Sequence, residues 1–132
     1  MHLTLLRILT GILMLALHGW PKLQGYSVMS SGFPDPLGIG SQLSLILVIF
    51  AEFFCSIMLI SGTFIRVASI PLIITMFVAA FIFHVDDPIS KIELPLLYLG
   101  IYITLFIGGA GKYAFKLPIR SSKHPFTQWL FD

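Results

Sequence analysis

Six side chains in this sequence of 132 residues could exchange protons or hold a polar ligand, and they come from separate segments of the chain. An imidazole exchanges protons near neutral pH, and a carboxylate held away from water can relay a proton. A lysine ammonium or a tyrosine hydroxyl can bind a polar headgroup. The six residues are His18, Lys22, Glu52, His84, Glu93 and Tyr98. Whether they form one site depends on the elements that carry them.

Those elements are apolar segments long enough to cross a membrane. A hydrocarbon core of about 30 Å requires roughly 20 mostly apolar residues in a helix. Four such stretches occur in the sequence, at residues 3–20, 43–62, 67–84 and 93–110. The connection between the second and third stretches is so short that these two must form a helical hairpin. The sequence therefore predicts an all-α fold, an integral membrane antiparallel four-helix bundle.

The composition excludes several classes of protein. Hydrophobic residues make up 57% of the chain and charged residues 11%, with a mean hydropathy of +0.95, whereas soluble domains have about 25% charged residues. A net charge of +2 is too small to indicate a nucleic-acid-binding protein. The single cysteine, Cys55, excludes an internal disulfide and any zinc site built on several thiolates. The lipid bilayer is thus the first expected partner.

The distribution of basic residues predicts the orientation, since Lys and Arg collect on the cytoplasmic side. One side has only Lys22 and Lys91, and the other has six basic residues. Both termini are therefore expected in the cytoplasm. Residues 1–115 form the predicted membrane domain, and residues 116–132 form a basic, aromatic cytoplasmic tail expected to lie on the inner leaflet. The six basic residues on the cytoplasmic side are Arg7, Arg66, Lys112, Lys116, Arg120 and Lys123.

This topology predicts that ionisable groups converge at the outer end of the bundle. The first span ends outside at His18 and Lys22, the third ends there at His84, and the fourth begins there at Glu93. Tyr98 lies about a turn and a half below Glu93 and can add a hydroxyl. A convergence of this kind indicates a ligand site or proton relay. The alternatives are ordinary anchoring at headgroup depth, or two histidines that hold haem or a metal without any local ligand spacing.

A second expectation concerns Glu52, which lies at the middle of the second span. A charged side chain at this depth costs about 2.5 to 3.5 kcal/mol and needs a partner. Arg7 lies on the same helical face of the first span as His18 and Lys22. We therefore predict a structural ion pair between Arg7 and Glu52. The alternative is that Arg7 extends to the headgroups and Glu52 is protonated beside Ser56.

Together these residues resemble the DoxX family over about residues 4–115. The similar positions include the H-G-x-x-K of residues 18–22, the L-I-S-G-T-F-I-R of residues 59–66 and the closing G-x-G-K-Y of residues 109–113. The resemblance implies a multi-pass protein of the bacterial inner (cytoplasmic) membrane, associated with membrane or periplasmic redox systems. It also implies a set of functional polar positions, without assigning a catalytic residue: Arg7, His18, Lys22, Glu52, Arg66, His84 and Glu93.

Two classes of function follow. In the first, the chain is a redox-linked subunit of a quinone-linked oxidoreductase, and its polar pocket binds a quinone or a similar polar headgroup. In the second, it is a non-enzymatic membrane protein for binding, transport or assembly. The sequence contains no electron carrier of its own, so the first class requires a cofactor-bearing partner or a bound redox cofactor. Quinone is the favoured ligand over haem, no metal site is predicted, and a homo-oligomer is compatible with either class.

Overall fold

The computed structural model describes residues 1–115 and 124–131, and this part of the chain is helical with no strand. Four helices, each of 19 to 23 residues, are long and apolar enough to cross a membrane. They are α1 (His2–Gln24), α3 (Ser41–Ser61), α4 (Ile65–Phe83) and α5 (Ile89–Gly108). Two short helices, α2 (Tyr26–Met29) and α6 (Pro125–Phe131), flank them. The predicted all-helical membrane fold with four spans is confirmed.

The helix boundaries differ from the predicted ones by a few residues. The first helix continues past Trp20 to Gln24. Pro21 lies in the first turn of this last segment, just after a widened turn, and does not end the helix. The fourth spanning helix begins at Ile89 rather than Glu93, since Pro88 takes the extended conformation that precedes a helix. Both differences lengthen the predicted span at the same end of the molecule.

The interior of the bundle is built from apolar and small side chains. Leu45, Leu59, Leu72 and Leu105 are fully buried, and so is Cys55. Large apolar residues also cover the outer surface of every spanning helix. A helix that is apolar on all faces is typical of a segment surrounded by lipid and protein. The outer surfaces of α1, α3, α4 and α5 therefore suit a hydrocarbon environment.

Three of the spanning helices contain a widened, π-helical turn. These turns cover Leu15–Gly19 in α1, Phe50–Cys55 in α3 and Ala79–Phe83 in α4. Such turns interrupt the regular hydrogen-bond pattern and occur frequently at functional sites. The first contains His18 and the second contains Glu52. Two of the three widened turns therefore coincide with the predicted site residues His18 and Glu52.

A tight turn joins α3 to α4. Gly62 ends α3 with a φ of 83°, and its N–H and that of Thr63 both donate to the carbonyl of Met58. The guanidinium of Arg7 lies directly against Gly62, so that a Cβ there would be 2.8 Å from Nη2. Glycine is therefore required both for the backbone conformation and for the space that Arg7 occupies.

Candidate ligand-binding site

Lys22 and Glu52 form a buried ion pair between α1 and α3. Lys22 Nζ lies 2.5 Å from Glu52 Oε2, and the two side chains are 19% and 6% exposed. A carboxylate in the middle of an apolar helix needs such a partner, because leaving it charged and unpaired there is costly. Lys22 can extend its ammonium from the end of α1 down to this depth along its alkyl chain.

The predicted ion pair between Arg7 and Glu52 is wrong. Arg7 and Lys22 are 15 residues apart on α1, or about 22 Å along a helix axis, so one carboxylate cannot reach both. The partners of Arg7 are backbone carbonyls in the last turn of α3, which have no acceptor role within that helix, and in the segment that follows α5. Its guanidinium donates to the carbonyls of Leu59, Ile60, Ala110 and Tyr113.

The other expectation for Glu52, a neighbouring hydroxyl, is also not observed. Ser56 Oγ is buried and has no hydrogen-bond partner within residues 1–115 and 124–131. Glu52 is bonded to the lysine of α1 instead. A charged donor gives a carboxylate a stronger hydrogen bond than a neutral hydroxyl does.

Gly19 explains why α1 and α3 come close enough for this pair. A Cβ on Gly19 would overlap the backbone carbonyl of Glu52 and the nitrogen of Phe53. The two widened turns therefore meet backbone to backbone, with Lys22 one turn beyond the contact. The H-G-x-x-K pattern therefore has a physical basis. The glycine allows α1 and α3 to approach closely, and the lysine then reaches Glu52 on α3.

The ion pair forms one wall of a cavity of about 330 Å³. The cavity lies between α3, α4 and the loop that joins α2 to α3, here named the covering loop (residues 30–40). Apart from Lys22, Glu52 and the hydroxyls of Ser44 and Thr75, its lining is apolar. The covering loop contributes Phe33, Pro34, Pro36, Leu37 and Ile39. A mostly apolar cavity with a few polar groups is the usual form of a small-molecule site.

The role of the covering loop was not predicted from the sequence. Its signal is the apolar run around Asp35, which is unusual for a loop at a membrane surface. Asp35 accepts hydrogen bonds from the N–H groups of Ile39 and Gly40 and from the hydroxyl of Ser44, at 2.8 to 2.9 Å. The bond from Gly40, aided by the others, holds the pKa of the Asp35 carboxyl below its ordinary value. Asp35 thus fastens the loop to the start of α3.

His18 and Tyr98 lie beside the ion pair without lining the cavity. The two rings meet edge to face with their centroids 6.2 Å apart, and Tyr98 stacks on Tyr102 at 5.7 Å. The hydroxyl of Tyr102 is buried and has no hydrogen-bond partner in the described part of the chain. A polar interior thus extends from Glu52 toward α5.

His84 and Glu93 lie outside this region, so the predicted convergence of four ionisable groups is not observed. His84 Nδ1 lies 2.6 Å from Asp87 Oδ2 in the turn between α4 and α5, and Glu93 is exposed. The bond with His84, together with that from Lys91, lowers the pKa of Asp87. His84 thus has its own partner three residues away in the short α4–α5 turn, and no ion pair joins it or Glu93 to Lys22 or Glu52 within the described residues.

The described residues contain no group of three His, Cys, Asp or Glu side chains placed to hold a metal ion. The two histidines also have different surroundings, since His18 packs on Tyr98 and His84 is bonded to Asp87. The arrangement provides instead a charged pair and an apolar cavity. It can hold a polar headgroup and give it both a donor and an acceptor.

A comparison with protein-family models finds one that covers this cavity. The DoxX model matches residues 2–85, well over half of the chain. The matched segment includes α1, the covering loop, α3 and α4, and thus every residue that lines the cavity. No curated protein and no solved structure matches the chain.

Proposed function

Because the chain belongs to the DoxX family, we propose that it is a redox-linked subunit of the bacterial inner membrane and binds a quinone or a similar polar headgroup. The headgroup occupies the cavity between the covering loop, α3 and α4. A cofactor-bearing protein in the membrane or periplasm supplies or removes the electrons. Lys22 and Glu52 hold the headgroup and provide the polar route for its protons.

The observation that carries this proposal is a largely buried ion pair that lines an apolar cavity. Burying two charges rarely stabilises a fold more than apolar residues of the same size would, so the pair favours a functional role. The ammonium of Lys22 has three N–H donors, and the bond to Glu52 uses one. Another can donate to a quinone carbonyl. Glu52 can then accept or deliver one of the two protons that accompany two-electron exchange.

His18 and Tyr98 support proton exchange from behind the pair. His18 is half-buried on the widened turn of α1 and packs edge to face on Tyr98. An imidazole can accept a proton at one ring nitrogen and donate one from the other. We assign His18 and Tyr98 to the relay, and Lys22 and Glu52 to the headgroup. His84 and Glu93 have no part in this proposal.

The orientation follows from charge. Arg7, Arg66 and Lys112 lie at the end of the bundle opposite Lys22 and Lys91, and this end is proposed to face the cytoplasm. The covering loop then faces the periplasm.

The membrane domain spans residues 1–115. Of the proposed tail, residues 116–123 and 132 lie outside the described residues, and α6 packs against the cytoplasmic end through Trp129, whose ring lies 4.4 Å from the Arg66 guanidinium.

The test is binding of a short-chain quinone to the full chain in lipid nanodiscs, measured by calorimetry. Lys22→Met should weaken binding by about tenfold or more, which corresponds to one charge-assisted hydrogen bond. Lys91→Met, which removes a largely exposed lysine bonded to Asp87, is the matched control and should bind as the parent does. Absence of binding in the parent, or equal binding by Lys22→Met, would overturn the proposal. Binding without any redox exchange with a partner would favour the non-enzymatic function.

A further inference from the structure

The cavity extends to the middle of the spanning helix α4, so a ligand could enter it from the membrane. It extends from the covering loop to Ile74, the tenth of the 19 residues of α4. At the middle of a spanning helix, surface that is exposed faces hydrocarbon rather than water. Ile74 is 55% exposed, and Leu47 on α3, which also lines the cavity, is 49% exposed. The rim between α3 and α4 therefore borders lipid.

The opposite end of the cavity is covered. Phe33, Pro34 and Pro36 of the covering loop line it there. Asp35 accepts two hydrogen bonds from within this loop, from the N–H groups of Ile39 and Gly40, and one from the hydroxyl of Ser44, which joins the loop to the start of α3. Two prolines restrict the backbone of the loop further. A ligand from the aqueous side would have to pass this loop and its hydrogen-bonded Asp35, whereas a ligand from the bilayer meets only apolar side chains.

Charge and size limit the kind of ligand. Lys22 and Glu52 neutralise each other, and the hydroxyls of Ser44 and Thr75 already donate to Asp35 and to the carbonyl of Pro71. The lining thus carries no excess charge to attract an ion. Its volume of about 330 Å³ lies at the lower end of the range for small-molecule sites, roughly 300 to 1,000 Å³. A headgroup fits in this volume, but a long hydrocarbon tail does not.

The geometry points to a neutral, long-tailed amphiphile that enters from the membrane between α3 and α4. Its headgroup lies against Lys22 and Glu52, and its tail leaves past Leu47 and Ile74 into the leaflet on the side of the covering loop. This inference rests on the proposed function and adds the class of ligand and its route. Free, water-soluble quinones are then only partial ligands, and membrane quinones with isoprenoid tails are of the right class.

The experiment compares one quinone headgroup with a methyl substituent and with a decyl tail, in nanodiscs that contain the full chain. Ile74→Trp places a larger ring in the proposed exit. It should weaken binding of the decyl compound by about tenfold or more and leave that of the methyl compound within about twofold. Ile70→Trp, one turn away on an exposed part of α4 that does not line the cavity, is the matched control and should change neither.

The outcomes separate this inference from the proposed function. If neither compound binds the parent, the proposed function fails and the route fails with it. If both bind and Ile74→Trp weakens neither, or weakens both equally, the headgroup site stands and the exit between α3 and α4 is wrong. A photoreactive group at the end of the decyl tail provides a second measurement. Labelling should fall on residues 41–61 and 65–83, whereas labelling confined to residues 30–40 would place the tail under the covering loop.

Discussion

The two ends of α1 each bury a cation, and they use it in different ways. Arg7 is 2% exposed, and the acceptors of its guanidinium are backbone carbonyls in the last turn of α3 and in the segment after α5. Lys22 has one carboxylate partner and borders a cavity. Both residues lie on the same face of one helix, so their position in the sequence does not distinguish them. The difference is how many donors of the cation are used within the fold, which is four of five for Arg7 and one of three for Lys22.

This difference separates a structural group from a functional one. The five N–H donors of Arg7 form a planar fork that matches several fixed acceptors. Four of these donors are bonded to backbone carbonyls, and the side chain is 2% exposed, so it is not accessible to a ligand. Lys22 keeps two N–H donors beyond its bond to Glu52. The free donors of Lys22 make its end of the bundle the candidate site.

The largest expected effect is at Arg7. Arg7→Met removes a buried cation and its four hydrogen bonds and leaves carbonyls of α3 and of the segment after α5 without a donor, so it should destabilise the fold by more than about 3 kcal/mol. Thermal unfolding in detergent, followed by circular dichroism, measures this. The Tm of Arg7→Lys should lie between those of the parent and Arg7→Met, because an ammonium keeps the charge but lacks the planar fork of the guanidinium. An unchanged Tm for Arg7→Met would remove the structural role of Arg7.

A smaller effect is expected from the Lys22–Glu52 pair. Lys22→Met and Glu52→Gln should each destabilise the fold by about 2 kcal/mol, and the double variant by less than their sum, with a coupling energy of about 1 to 2 kcal/mol. Arg7→Met and Glu52→Gln should instead be additive within about 0.5 kcal/mol, since these residues share no partner. The same unfolding measurement decides both cycles. Coupling between Arg7 and Glu52 would restore the pairing that the structure excludes.

The sequence could predict the spans but only part of the site, and Glu52 shows why. Hydropathy over some 20 residues locates a spanning helix, so the four helices follow directly from composition. The partner of Glu52 depends on the relative height of two helices. Here Gly19 and two widened turns set that height, and a regular helical repeat does not reveal such turns. An offset of a few residues was enough to pair Glu52 with the wrong cation.

The covering loop and His84 illustrate a second limit. The contribution of residues 33–39 to the cavity depends on how the loop folds back over α3 and α4, which periodicity does not encode. A ring nitrogen of His84 is bonded to Asp87, three residues away. His84 and Lys22 are at the same end of the bundle, yet in the part of the chain that the structure describes they form no ion pair or hydrogen bond with a shared partner. Residues that share one end of a bundle need not share a site.

The contact at Gly19 should have an intermediate effect. Gly19→Ala places a methyl group against the backbone of Glu52 and forces α1 away from α3, at a cost of about 1 to 3 kcal/mol. Because the shift also moves Lys22, quinone binding should weaken more than the stability change alone explains. Gly100→Ala is the matched control, since a Cβ there meets no atom within 4 Å. Equal unfolding and equal binding for both variants would contradict the proposed role of Gly19.

The smallest effect is expected at Asp35, which fastens the covering loop. Its pKa is lowered in the folded protein, so its contribution is complete above the unfolded value of about 3.9 and is lost as the pH falls through the lower folded value. Hydrogen–deuterium exchange of a peptide that covers residues 33–40, corrected for the intrinsic rate, should show protection that persists down to about pH 4 and then declines. Asp35→Asn should reduce that protection above about pH 4 and match the parent at lower pH, because an amide nitrogen cannot accept the bond from Gly40. Asp86→Asn, in the exposed turn after α4, should leave the loop unchanged. If Asp35→Asn kept full protection, the loop would be held by its apolar contacts alone, and the aqueous end of the cavity would not depend on a charged group.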